Sequence, residues 1–294
     1  MSVSTAKNLE LVLQKIEAAF AKVENTGQPC PQLVAVSKTK PPGLVIEAYN
    51  AGQKAFGENY IQELVEKSNN EEVGLLEVKC PEIQWHFIGR LQSNKIKLLT
   101  CKYEFYLALL AVPNLAMVQT VSSLKIANLL NSAWQKVSSR PLDVLIQVNT
   151  SGEERNLLGS VNFVIEKGGV AVSDLVDLYK AVFECCPHLN LRGLMTIGRY
   201  GYDENLGPNP DFLCLYDCRN MVCDALGISK HSLHLSMGMS SDYEMAVIIL
   251  HLLQLDTLLS RLQWVALWFV LVLTYLGLAN KTMHYTRFPS SINV

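Results

Sequence analysis

The sequence predicts an α/β fold, a (β/α)8 barrel that lacks one of its eight strand–helix units. Three observations predict it. Short apolar runs rich in β-branched residues recur along the chain, and each is followed by a stretch of helical character. The joints between them are short and carry Gly, Pro, Asn and Ser. Strand–helix alternation with short connections gives a parallel sheet. Seven such units are legible, with one helix ahead of the first, where eight would close the barrel.

The opening stretch, MSVSTAKNLELVLQKIEAAFAKVE, reads as an amphipathic helix with Leu9, Leu11, Val12, Leu13, Ile16, Ala19 and Phe20 on one side. Leu33 to Val36 form the first strand. Lys38 follows at its C-terminal end, before a turn enforced by Pro41 and Pro42. Leu44–Ala51 is a helix with Gly52 at its C-cap. The second strand is Ala55–Gly57. Asn59 is placed to cap a helix that Tyr60 begins, with Gln62 and Glu63 in its first turn. Ile83–Ile88 is the third strand, Gly89 turns the chain, and Gln92–Leu99 open a helix with Asn94 and Lys95 near its start. Ala116–Thr120 is the fourth strand, with Ser122 and Ser123 as caps for a helix over 124–137. Val144–Val148 leads into a polar, glycine-bearing loop, Asn149–Glu154. A helix over Ser173–Cys186 stops before Pro187. Leu191–Ile197, a loop over Gly198–Pro210, a helix over Phe212–Leu226 closed by Gly227, and the strand Ser232–Ser236 complete the series. MGMSSD then caps a further helix.

A formal net charge of -2 removes the basic surface that nucleic acid would require. The N-terminus lacks the apolar core of a secretory signal, so the eight cysteines are expected as reduced thiols in the cytoplasm. Cys214, Cys218 and Cys223 share one helical segment, but no CxxC pair occurs, and buried thiols rather than a metal site are expected. The barrel is expected to end at residue 246, and 247–294 to form an apolar tail. Within it Gln263–Ala279 carries no charge and lies between Arg261 and Lys281. As a helix at 1.5 Å per residue it would span about 26 Å, near the lower limit for a bilayer. A membrane span, a helix covering the barrel seam and an aggregating tail are the three readings of it.

Chemistry gathers at the C-terminal ends of barrel strands, which directs attention to Lys38. An unperturbed lysine is neutral only about 0.04% of the time at pH 7, and desolvation favours the neutral amine that attacks an aldehyde. Lys38 is therefore either a Schiff-base lysine or a solvated turn residue. Asn59 is either a helix cap or a ligand contact. His86 is either a core histidine bonded within the barrel or part of a site.

Six segments in this order carry a resemblance: AVSKTKP (Ala35–Pro41), FGENYIQE (Phe56–Glu63), WHFIGRLQSNK (Trp85–Lys95), NTSGEE (Asn149–Glu154), GLMTIG (Gly193–Gly198) and LSMGMSSD (Leu235–Asp242). Together they resemble the pyridoxal phosphate homeostasis protein family. The resemblance implies a fold-type-III barrel like the N-terminal domain of alanine racemase. It implies pyridoxal 5′-phosphate held as a Schiff base on Lys38, with Asn59 lining the cofactor, His86 near its ring, and Ser236 and Met237 in the phosphate-binding segment. It further implies a carrier or regulator of vitamin B6 cofactor without catalytic residues of its own, with PLP-dependent apoenzymes as recipients. The runner-up readings are an amino-acid racemase of the same fold, for which Lys40 is the nearby acid–base candidate, and a membrane-tethered or inert variant.

Three stretches depart from the family pattern at element boundaries, as retained or alternative coding segments would: Thr100–Leu110, Arg155–Val172 and everything after Ala246. The last replaces a closing segment of the type GSTxVRxGxxIFG, whose Arg in the family faces the pyridine nitrogen and whose Gly and small hydroxyl residue bind the phosphate.

Overall fold

The computed structural model describes residues 4–22, 29–69, 80–91, 112, 114–152, 168–199 and 201–255. The helix expected over Gln92–Leu99, the stretch Thr100–Leu110, most of Arg155–Val172 and the apolar run Gln263–Ala279 lie outside these residues. Among the described residues no helix is long and apolar enough to cross a membrane.

Helix α1 (Thr5–Ala21) precedes β1 (Ala35–Val36), α2 (Pro42–Asn50), β2 (Ala55–Glu58), α3 (Ile61–Asn69), β3 (Gln84–Phe87), β4 (Leu115–Val121), α4 (Leu124–Trp134), β5 (Leu142–Asn149), β6 (Val170–Ala171), α5 (Leu175–Cys185), β7 (Leu189–Met195), α6 (Pro210–Leu226), β8 (His234–Ser236) and α7 (Tyr243–Leu255). All strand pairs are parallel, in the order β1-β2-β3-β4-β5-β7-β8. The seven strands expected from the sequence are the seven on this path. The two-residue β6 was not expected; it pairs off the path with the end of β5, Val148 opposite Val170 and Asn149 opposite Ala171. Two residues carry no periodicity, so only the partner strand reveals β6.

Helix ends follow local chemistry. The Ser4 hydroxyl accepts from Lys7 N at 3.3 Å and Ser123 from Ile126 N at 3.4 Å. Asn209 caps α6, with Pro210 in its first turn and Gly227 closing it at φ +66°, a left-handed conformation that costs glycine little.

Both faces of the sheet are buried, as parallel sheets require. The inner face holds Val34, Val36, Ala55, Ile88, Met117, Leu145 and Met195. The helix-facing core is larger, with Phe56, Leu64, Trp85, Leu130, Val144, Leu194 and Phe212 among its fully buried members. In α1, Leu9, Ile16 and Ala19 are buried, whereas Leu11 and Leu13 are exposed. Leu11 stands about 200° around the helix from Leu9, so the apolar stripe is narrower than the sequence suggests.

Among the described residues β1 and β8 end the sheet and do not pair with each other. Helix α1 bridges that seam from outside, packing on α2, which follows β1, and on α7, which follows β8. The boundary expected at residue 246 falls inside α7, and Val247, Ile249, Leu250 and His251 are all buried beyond it. The His251 ring stacks on Phe20 at 4.3 Å, its Nδ1 lies 3.1 Å from the Phe20 carbonyl oxygen, and Lys15 pairs with Glu244 at 2.9 Å. The first turns of the atypical tail are thus part of the barrel's helical coat. Leu250→Ala is expected to destabilise the protein by about 2–5 kcal/mol, read as a lowered midpoint in urea unfolding; an unchanged midpoint would mean that α7 does not seal this seam.

Candidate functional site

The expected site residues lie at or near the C-terminal ends of the strands. Lys38 sits in the turn directly after β1, half-buried, and continues the two-residue spacing of the inner-face residues Val34 and Val36. Thr39 has φ +60°, and a β-branched residue in the left-handed region costs about 1–2 kcal/mol. Side chains of α3 hold this turn: Lys67 Nζ donates to the Ser37 carbonyl at 2.6 Å, and Glu63 accepts from Thr39 N–H.

Asn59 follows β2 but does not cap α3. The helix starts at Ile61, and it is the Tyr60 carbonyl that accepts the first bond, from Leu64 N at 3.0 Å. Asn59 Oδ1 is buried and has no hydrogen-bond partner among the described residues. The cap reading therefore fails, because no backbone N–H of α3 donates to that oxygen. Gly89, after β3, explains why the chain can come so close here. A Cβ at that position would lie 1.8 Å from the Asn59 carbonyl oxygen, so only glycine lets the two strand ends meet. The Thr120 hydroxyl donates to the Gly89 carbonyl at 2.6 Å and fixes that turn.

His86 and Ser236 are joined across the barrel interior through Gln119, a residue the sequence reading did not single out. The Ser236 hydroxyl donates to Gln119 Oε1 at 2.7 Å, and Gln119 Nε2 lies 2.8 Å from His86 Nδ1. An amide nitrogen only donates, so Nδ1 accepts and the neutral ring carries its proton on Nε2. Burial lowers the His86 pKa from 6.5 to about 4. The chain Ser236–Gln119–His86 thus runs from β8 through β4 to β3, and all three residues are buried. Its signal in the sequence is one polar residue at an inner position of an apolar strand, AMVQT. Met237 is fully buried in the helix-facing core, so it offers the mouth of the barrel its backbone and not its side chain. Gly238 follows with φ +93° and leads toward the N-terminus of α7.

A second unforeseen group lies behind Lys38. Glu58, at the end of β2, and Lys67, on α3, form a buried ion pair at 2.7 Å. Burial pushes the Glu58 carboxyl up, against hydrogen bonds from Lys67 and Ser37 that lower it. None of the seven described cysteines is in a disulfide, and burial raises the thiols of Cys30, Cys186, Cys214, Cys218 and Cys223.

With this geometry in place, the comparisons are specific. The alanine racemase N-terminal domain family matches residues 11–259. The pyridoxal phosphate homeostasis protein of Homo sapiens is 46% identical over 218 residues, 74% of this chain and 70% of that protein. The chain belongs to the pyridoxal phosphate homeostasis protein family. A solved structure of PipY from Synechococcus elongatus without PLP is 27% identical with a TM-score of 0.57, covering 87% of this chain and 97% of PipY. The structure of PipY with PLP bound gives a TM-score of 0.55 at 24% identity over the same shares and shows the common fold. For this family member the fold-type-III barrel inferred from the motifs is therefore the observed architecture, as a curled parallel sheet.

The buried histidines give the fold a definite pH response. His86 and His234 both have pKa values lowered to about 4 by burial, for His234 with help from the Arg192 charge. An unfolded histidine takes up a proton below about pH 6.5 while these stay neutral, so stability falls as pH drops from there toward 4. Glu58, with its raised pKa, works in the opposite direction. The contrast between variants is therefore the readout. His86→Gln is expected to flatten the fall between pH 6.5 and 4 by up to about 3 kcal/mol, measured by urea unfolding across that range.

Proposed function

We propose that this protein binds pyridoxal 5′-phosphate and serves intracellular homeostasis of the vitamin B6 cofactor, holding it as a Schiff base on Lys38 without turning over a substrate. The observation that carries the reading is the position of Lys38: a half-buried amine at the C-terminal end of β1, in step with the inner face, in a turn held against backbone strain. The buried Asn59 Oδ1 supplies a second, independent support, because a side-chain oxygen with no partner among the described residues suits a polar ligand atom. Family membership agrees with both.

The residues present fit the group. Lys38 offers the amine, Asn59 an acceptor at the end of β2, and His86 an N–H whose tautomer Gln119 sets. Ser236, whose hydroxyl is committed to Gln119, leads into the backbone of Met237 and Gly238, which runs toward the N-terminus of α7, where an anion is favoured. When bound, the cofactor supplies an aldehyde and an electron-withdrawing pyridinium ring. The chain's own part is to present the Lys38 amine, to hold the ring and phosphate, and to keep protons away from the bound group. His86 suits that restraint: fully buried, with a pKa near 4 and Nδ1 committed to Gln119, it neither gives nor takes a proton readily at neutral pH. The residues given after Ala246 do not repeat the segment that in the family contacts the phosphate and the pyridine nitrogen. On this reading the recipients of the cofactor are PLP-dependent apoenzymes in the cytoplasm.

Added pyridoxal 5′-phosphate is expected to give the folded protein an imine absorption band, and borohydride reduction to leave the pyridoxyl mass on the peptide containing Lys38. Lys38→Ala abolishes both. No band in the folded wild-type chain, or a label on another lysine, overturns the proposal. In deuterated water the loaded protein is expected to leave the α-hydrogen of added amino acids unexchanged; exchange above the rate of the free cofactor would establish the racemase-like reading instead.

A further inference from the structure

Buried behind the turn that carries Lys38 is a charged cluster that the binding of a cofactor does not by itself require. Lys67 Nζ donates to three acceptors: the Ser37 carbonyl at 2.6 Å, Glu58 Oε1 at 2.7 Å and Glu63 Oε1 at 2.7 Å. Those match the three N–H donors of an ammonium group. Glu58 Oε1 also accepts from the Ser37 hydroxyl at 2.6 Å, and Glu63 Oε1 from Thr39 N–H. The Ser37 amide donates to the Gly57 carbonyl at 3.0 Å, so every polar group of Ser37 is engaged. The side chains of Lys67 and Glu58 are 4% and 0% exposed, which removes them from competition with water.

What these bonds hold is specific. The Ser37 carbonyl belongs to the peptide plane before the Lys38 Cα, and the Thr39 N–H to the plane after it. Those two planes define φ and ψ of Lys38, and with them the direction of its Cα–Cβ bond. Both are anchored from α3, one by Lys67 and one by Glu63, while Glu58 locks Lys67 and Ser37 together. The anchors also oppose the left-handed strain at Thr39.

We propose that Lys67, Glu63 and Glu58 act as positioning residues for Lys38, fixing both flanking peptide planes so that its amine is presented to the mouth of the barrel and captures an incoming aldehyde rapidly. The inference rests on the reading of Lys38 as the cofactor-bearing lysine. Capture joins the neutral Lys38 Nζ to the aldehyde carbon, forms one C=N bond and releases one water, with no oxidant or reductant. The clamp touches none of those atoms; it acts through the backbone of Lys38.

Glu63 is the member suited to a test, because it is partly exposed and its replacement leaves the buried Lys67–Glu58 pair in place. Glu63→Gln keeps an acceptor for Thr39 N–H, Glu63→Leu removes it, and Val65→Ala perturbs the packing of the same helix without touching the turn. The probe is pyridoxal 5′-phosphate, the readout the rate of imine formation at 25 °C, with melting temperatures measured alongside. Misplacing the amine by a fraction of an ångström is expected to slow capture in Glu63→Leu on the order of ten- to a hundredfold, with Glu63→Gln close to wild type and Val65→Ala unaffected beyond any loss of fold. Wild-type rates in Glu63→Leu, equal slowing in Glu63→Gln, or equal slowing in Val65→Ala each overturn the clamp. A wild-type protein that never forms the imine overturns the reading of Lys38 itself, so the two failures are told apart.

Discussion

The structure depends on one constraint: its parallel sheet is curled, and both of its faces are closed to water. Most strand residues are therefore buried on one side or the other, and each polar side chain on the inner face needs a partner inside the barrel. Gln119 meets this demand by accepting from Ser236 on one side and donating to His86 on the other. The resulting chain crosses the interior from β8 to β3, linking strands that are not neighbours in the sheet. The same demand draws attention to Asn59, whose buried side-chain oxygen has no hydrogen-bond partner among the described residues.

A second consequence concerns charge. Glu58 lies at the end of a strand whose four residues are all buried, and an isolated carboxylate there would be costly. Lys67 answers it from α3, and the pair then has bonds to spare for the turn between β1 and α2. A buried ion pair adds little net stability compared with apolar packing. Its value here is directional, because Lys67 holds the Ser37 carbonyl and Glu58 the Ser37 hydroxyl, on the N-terminal side of Lys38.

The seam between β1 and β8 shows a different economy of contacts. The sheet does not close among the described residues, yet the helical layer does, through α1 packed on α2 and α7. An apolar sequence that departs from the family pattern after Ala246 still supplies buried residues at the helical spacing that α1 requires, with His251 stacked on Phe20. Burial of an apolar helical face tolerates replacement of the residues that form it, whereas strand pairing demands a backbone in one register.

By itself the sequence determined the alternation of strands and helices, all seven strands of the main sheet, the helix stop at Gly227, and Lys38 at the end of β1. These are local facts, written in β-branched runs, capping residues and prolines within a few positions of where they act. The motifs around Lys38, Asn59, His86 and Ser236 also marked out the candidate site. Only the tertiary structure decided which polar groups answer one another. It withdrew Asn59 from the helix cap, turned the Met237 side chain into the outer core, and joined Ser236 to His86 through Gln119, 117 residues from Ser236 in the chain. It also set Lys67 and Glu63 against the backbone on either side of Lys38. The physical reason is common to all of these. A hydrogen bond between distant residues depends on strand register and on which face each residue takes, and neither is legible until neighbouring strands are in place.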